Sequence, residues 1–148
     1  MNTITDFYPF EPTPDNRNFY FHSIGSNGVF QMAIMFQEKI EPGRFNLALC
    51  AFVGGRFVDN VTTNNQDFSK ILSTVAMALR AFFESYPDAI VEIGASNDKR
   101  LRVYNGIVKR RFDEIKLDYL VQGIVSNKIE DYHPEKFYQL FVIQRRRF

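Results

Sequence analysis

The stretch from Asn18 to Ile40 constrains the fold more than any other part of the chain. Asn18–Ile24 alternates and is rich in aromatics, and Val29–Ile40 is a longer run of strand-forming residues. Gly25-Ser26-Asn27-Gly28 between them has the composition of a tight turn. Two strands joined so closely must lie antiparallel. This hairpin is the strongest local signal in the sequence.

Downstream, Glu41-Pro42-Gly43-Arg44 makes another turn, Phe45–Val53 reads as a third strand, and Gly54-Gly55 turns the chain into Arg56–Val61. Asp67 suits a helix N-cap. Phe68, Ile71, Leu72, Val75, Leu79, Phe82, Phe83 and Tyr86 then recur at helical spacing until Pro87 stops the run. That stripe reads as core packing. Ala89–Ala95 is a short strand, and Ser96 is placed to cap a second helix with Leu101, Tyr104, Val108, Phe112 and Ile115 on its apolar side. Leu117–Val125 and Phe137–Gln144 read as two more strands, joined by a polar loop holding Lys128, Glu130, Asp131 and His133-Pro134. Residues 1–18, with Pro9, Pro12 and Pro14, form an extended lead-in, and residues 19–148 are expected to form a single domain. Hairpins early and helices between later strands predict the α+β class, a mixed, mainly antiparallel sheet covered by two main helices.

The composition supports a packed core, with 45% hydrophobic residues and sixteen Phe in 148 residues. A chain of this length buries about 68–70% of its unfolded surface and needs no disulfide. The single cysteine, Cys50, lies in an apolar run and reads as a buried, inert thiol. No run approaches the ~20 apolar residues of a membrane span, and Met1–Pro9 lacks the pattern of a secretory leader. A cytoplasmic protein away from membranes is therefore expected. His22 and His133 with one cysteine do not make up a usual zinc site, so no metal is expected. Phosphate-loop, dinucleotide and Gly-x-Ser-x-Gly patterns are absent as well. No cofactor is expected, and the balance leans away from an enzyme.

Charge is distributed unevenly along a chain of net charge +1. Asn97–Lys116 carries seven cations against three acids, and Arg145–Arg147 adds three more cations. Most of these charges read as a solvated helix face and a frayed end. The informative stretch is Ile90–Arg111, where a strand runs through Gly94-Ala95-Ser96 into a helix whose free amides favour anions. At about 100° per residue, Lys99, Arg102, Lys109 and Arg110 lie opposite the apolar stripe. Arg100 and Arg111 flank it near Tyr104, where a guanidinium needs a partner. Either an internal ion pair, with Glu92 or Asp118, or a bound ligand would supply one. Ser96, Asn97, Arg100, Tyr104 and Arg111 are thus the candidate anion- or ligand-binding residues, around the strand-to-helix turn 94–104. Asn60–Asp67 is a second polar cluster in which Asn64, Asn65 and Gln66 line a pocket or simply make turns and caps.

The segments Phe45-Asn46-Leu47-Ala48-Leu49, Thr63-Asn64-Asn65-Gln66-Asp67, Gly94-Ala95-Ser96 and Arg100-Leu101-Arg102-Val103-Tyr104 resemble a family of small bacterial proteins classed as a domain of unknown function. The likeness runs from Phe19 to about Val125 and implies no activity. A second resemblance is one of topology: the order of elements is similar to the later part of a GNAT-type acetyltransferase. That resemblance implies a coenzyme A contact at Asn97 and a general acid at Tyr104, with Glu92 the nearest carboxylate for a base. Thr63–Lys70, where that family places a glycine-containing loop, has no glycine.

Three functions follow as expectations. The leading one is a small non-enzymatic binding or regulatory protein, with a protein partner or a second copy of the chain. The alternatives are an acyltransferase of GNAT type using acetyl-coenzyme A, and a nucleic-acid-binding protein acting through the basic helix 97–116. Nucleic acid is the least expected partner, because the chain lacks a strongly basic balance and a stacking-aromatic motif.

Overall fold

A computed structural model of the chain describes residues 6–59, 65–95 and 97–147. The chain enters through a two-residue strand, β1 (Glu11–Pro12), which pairs with β2 (Asn18–Gly25). The latter pairs antiparallel with β3 (Gly28–Glu38), so the predicted hairpin is in place, though its second strand ends before the fully exposed Ile40. Then come β4 (Arg44–Val53), the short β5 (Arg56–Val58), α1 (Phe68–Ser85), β6 (Ile90–Ile93) and α2 (Asp98–Asp118). The chain closes with β7 (Tyr119–Val125), β8 (Lys128–Asp131) and β9 (Leu140–Arg145). Among the described residues these nine strands form a mixed, mainly antiparallel open sheet, accompanied by two helices. The α+β class read from the sequence is the one observed.

Two strands lie where the sequence predicts none, β1 within the extended lead-in and β8 within the polar loop. Lys128–Asp131, polar as a loop would be, is β8, paired antiparallel with β7. Ser126 and Asn127 between them have φ of 52° and 61°, the left-handed pair that a two-residue hairpin turn requires. Four charged or exposed residues carry no strand periodicity, so the turn was the signal to look for. The run Arg56–Val61 is strand only to Val58, and Asn60–Asn64 lie outside the described residues.

The chain divides into two compact units. In the unit built from Asn2–Gln37 and Ala48–Pro87, β1, β2, β3, the later part of β4 and β5 make the sheet, and α1 packs on one face. Phe82 of α1 stacks on Phe36 at 4.1 Å, and Phe19 meets Phe36 edge-on. Of the predicted stripe of α1, Ile71, Leu79, Phe82 and Phe83 are buried core while Phe68 at its start is exposed, and Cys50 of β4 is buried too. The lead-in runs along α1. Near its start the Tyr8 N–H donates to Thr74 Oγ1, and near its end Asn16 donates to Ser85 Oγ and Arg17 Nε to Tyr86 Oη.

Asp67 stands at the N-cap of α1, yet its carboxylate makes no capping bond. It accepts instead from Tyr8 Oη and Ser23 Oγ, each at 2.5 Å. Asn65, only 2% exposed, donates to Ser23 Oγ and to the Gly28 carbonyl, and its Oδ1 accepts from the Asn27 N–H. A Cβ on Gly25 would lie 2.0 Å from the Asn65 carbonyl oxygen, so this turn needs glycine to let the loop approach. Of the polar cluster proposed to line a pocket, Asn65 therefore holds the hairpin turn, and Asn64 lies outside the described residues.

In the unit built from Glu38–Leu47 and the chain beyond Asp88, the order is β4, β6, β9, β7, β8. β6 runs parallel to the start of β4, with Asn46 opposite Glu92, and α1 is the crossover that parallel pairing needs. The last strand, β9, enters between β6 and β7, antiparallel to both. Val121, Tyr132, Tyr138 and Phe141 form the core, against which Tyr104, Val108, Phe112 and Ile115 of α2 pack.

Candidate functional site

The strand-to-helix turn forms as the sequence predicts, with its cap one residue later. Asn97, in extended conformation, accepts the Arg100 N–H on its Oδ1 at 2.8 Å and so caps α2. Ser96 lies outside the described residues. Asp98 in the first turn suits the positive end of the helix. Gly94 is tightly placed, since a Cβ there would stand 3.0 Å from Leu140 Cδ1.

Along α2 the candidate residues separate. Arg100 and Tyr104 are half-buried, one turn apart, and Tyr104 packs against the tyrosine-rich core. Arg111 is exposed and eleven residues beyond Arg100, about 16 Å of helix at 1.5 Å per residue. The two arginines share a flank of α2 and meet different surroundings. Glu92, one of the ion-pair partners considered for Arg100, binds Lys39 Nζ at 2.8 Å and Arg44 Nε at 3.3 Å. Burial alone pushes the Glu92 carboxyl up, but the hydrogen bonds and charges of Lys39 and Arg44 outweigh it and hold the group below its ordinary value. An anion held so firmly is a poor proton acceptor near neutral pH. Asp118 ends α2, where its backbone carbonyl accepts the Arg146 N–H.

Sequence reading missed Asn105, which lies within the apolar stripe. Its amide donates to the Tyr138 carbonyl at 2.9 Å, its Oδ1 accepts the Tyr138 N–H at 2.8 Å, and the amide also donates to the Leu101 carbonyl. A lone amide between Leu101 and Val108 on the buried side was the available signal. Tyr138 Oη donates to Glu130 Oε2 at 2.8 Å and accepts the His133 N–H, while Lys136 pairs with Glu130. Gly123 has no side chain because the Tyr138 ring occupies its place.

The basic surface also differs from the one expected. The C-terminal arginines are tied down: Arg146 Nε donates to the Lys116 carbonyl at the end of α2, and Arg147 pairs with Asp88. Lys116 pairs with Asp113 at 3.0 Å. Lys99, Arg102, Lys109, Arg110 and Arg111 are exposed and make no ion pair among the described residues. Also among the described residues, no three His, Cys, Asp or Glu side chains are grouped to hold a metal ion, and no helix is long and apolar enough to cross a membrane.

The model of a family of unknown function (DUF6934) matches residues 5–146, in keeping with the resemblance read from the segments above. The chain has no match among curated proteins or among solved structures.

Proposed function

We propose that this chain, which belongs to that family of unknown function, is a small non-enzymatic binding or regulatory protein that recognises an anionic group on a partner through α2. One observation carries the reading. Asp67, Glu92 and Glu130 are each taken up by hydrogen bonds within the fold, whereas five cations of α2 stand exposed without an ion pair among the described residues. A carboxylate that holds the fold together is ill placed to shuttle protons, while unpaired cations on one element raise the local concentration of anions. Lys99, Arg102, Lys109 and Arg110 share one face of the helix, while Asn97, Arg100, Tyr104 and Arg111 lie along the flank beside the apolar stripe. The reading sets the protein in the cytoplasm of a bacterial cell, where a single buried thiol such as Cys50 stays reduced.

The test is thermal melting of the full chain with sodium tripolyphosphate at low ionic strength. At a hundredfold the dissociation constant, the ligand stabilises by about 2.7 kcal/mol, a rise of several degrees. The rise should shrink with added salt and in the Arg102→Ala/Arg111→Ala variant. No rise at low salt overturns the proposal. A rise with acetyl-coenzyme A alone, lost in Tyr104→Phe, would replace it with acyl transfer.

A further inference from the structure

Gly106 stands in the middle of α2, eight residues from its start and twelve from its end, where glycine weakens the helix. The interior gives no reason for it. A Cβ built on Gly106 would meet only the guanidinium of Arg110, at an ordinary 3.6 Å. Gly94 and Gly123 are different, since both sit against side chains that a Cβ would press. The helical angle puts Gly106 on the same side as Lys99, Arg102, Lys109 and Arg110, all exposed. Arg102 lies four residues before it and Arg110 four after. Arg102 and Arg110 thus stand one turn before and one turn after the glycine, with the Arg110 guanidinium lying beside it.

We infer that this face of α2 docks an acidic helix of another protein, crossing at Gly106 with carboxylates toward Arg102 and Arg110. The inference rests on the anion-binding reading above and names its partner. Interaxial distance between helices is set by the side chains at the contact, so a glycine at the crossing lets the second helix come close. The two arginines are eight residues apart, about 12 Å along the axis. The partner's carboxylates should then lie about two turns apart, one on each side of the crossing.

Three observations favour a polypeptide over nucleic acid. The aromatics of α2, Tyr104 and Phe112, pack inward and leave nothing on this face for bases to stack upon. Arg146 and Arg147 are engaged within the chain and do not extend the basic surface. Long cationic side chains reach phosphates without needing a glycine between them. A second copy of the chain is not the occupant, because it has no acidic helix to offer. Its α1 holds Glu84 as its single acid, and α2 is itself basic.

The experiment is an NMR titration of the full chain at low salt with an alanine-rich helical peptide carrying glutamates eight residues apart. Its glutamine counterpart, tripolyphosphate and a short DNA duplex are titrated in parallel. The glutamate peptide should shift the amides of 99–110, bind at least tenfold more tightly than the glutamine peptide, and lose at least tenfold on Arg102→Glu/Arg110→Glu. Gly106→Ala is the decisive variant, since it should melt higher than the parent yet bind the peptide more weakly. Loss of binding in a better-folded protein cannot be misfolding. Unchanged affinity in Gly106→Ala overturns the close crossing. Binding of tripolyphosphate or duplex but not of the glutamate peptide overturns the acidic-helix partner and leaves the anion reading standing. No binding by any probe removes both.

Discussion

Gly123 lies under the Tyr138 ring, where a Cβ would come within 2.2 Å of ring carbon. The ring cannot move aside, because Glu130 holds its hydroxyl and Asn105 holds both backbone groups of the same residue. Gly123→Ala should therefore overpack the core and cost roughly 2–3 kcal/mol, read as a lower urea midpoint with an unchanged slope. Asn105→Ala strands the N–H and carbonyl of Tyr138 in a buried setting and should cost about 2–3 kcal/mol. Tyr138→Phe is the milder change, about 1 kcal/mol, because Lys136 still pairs with Glu130. A ranking in which Tyr138→Phe is the most damaging of the three would mean that the hydroxyl, rather than the ring and its backbone, anchors this core.

α2 is a helix stabilised at its start and weakened at its middle. Asn97→Ala removes the side-chain cap and should lower stability by about 1 kcal/mol. Gly106→Ala should raise it by roughly 0.5–1 kcal/mol, since the added methyl meets only a flexible guanidinium. Urea melts of the two variants check opposite signs on one element. A destabilised Gly106→Ala would place an unseen packing demand at that position. For α1, the periodicity announced the helix and its buried stripe, but not that the cap residue would serve a different purpose. Asp67 is drawn into Tyr8 and Ser23, which lie 59 and 44 residues away in sequence. Likewise β8 has no alternating pattern, so only its pairing with β7 makes it a strand.

Over the whole molecule, pH should act at two limits. Burial raises the Glu92 carboxyl, yet Lys39 and Arg44 bring it below its ordinary 4.5. Lys136 and Tyr138 likewise lower Glu130. A depressed carboxyl contributes stability that is complete above the unfolded value and disappears as pH falls through the folded one. Acid destabilisation should thus begin below about pH 4.5, and Glu92→Gln should flatten that limb. The phenols of Tyr8, Tyr132 and Tyr138 are all pushed above 10.0, chiefly by burial. Their contribution is complete below that value and lost as pH rises past it. Urea midpoints across the pH range should form a plateau with losses at both ends. A steady slope across the neutral range would contradict these assignments.

The sequence alone determined whatever depends on neighbours along the chain. Turn residues at 25–28, the helical stripe from Phe68 to Tyr86 and the strand-to-helix turn at Gly94 were legible because propensity and periodicity are local. The basic character of α2 and the half-buried flank holding Arg100 and Tyr104 were legible for the same reason. Only the tertiary structure decided which charges remain available. It paired Glu92 with Lys39 and Arg44, 53 and 48 residues away, and secured the C-terminal arginines that local reading left frayed. It also placed β9 between β6 and β7, an order no local pattern encodes. Pairing of strands and charges distant in sequence is chosen by burial and hydrogen bonding in the assembled fold. No window of sequence contains those terms.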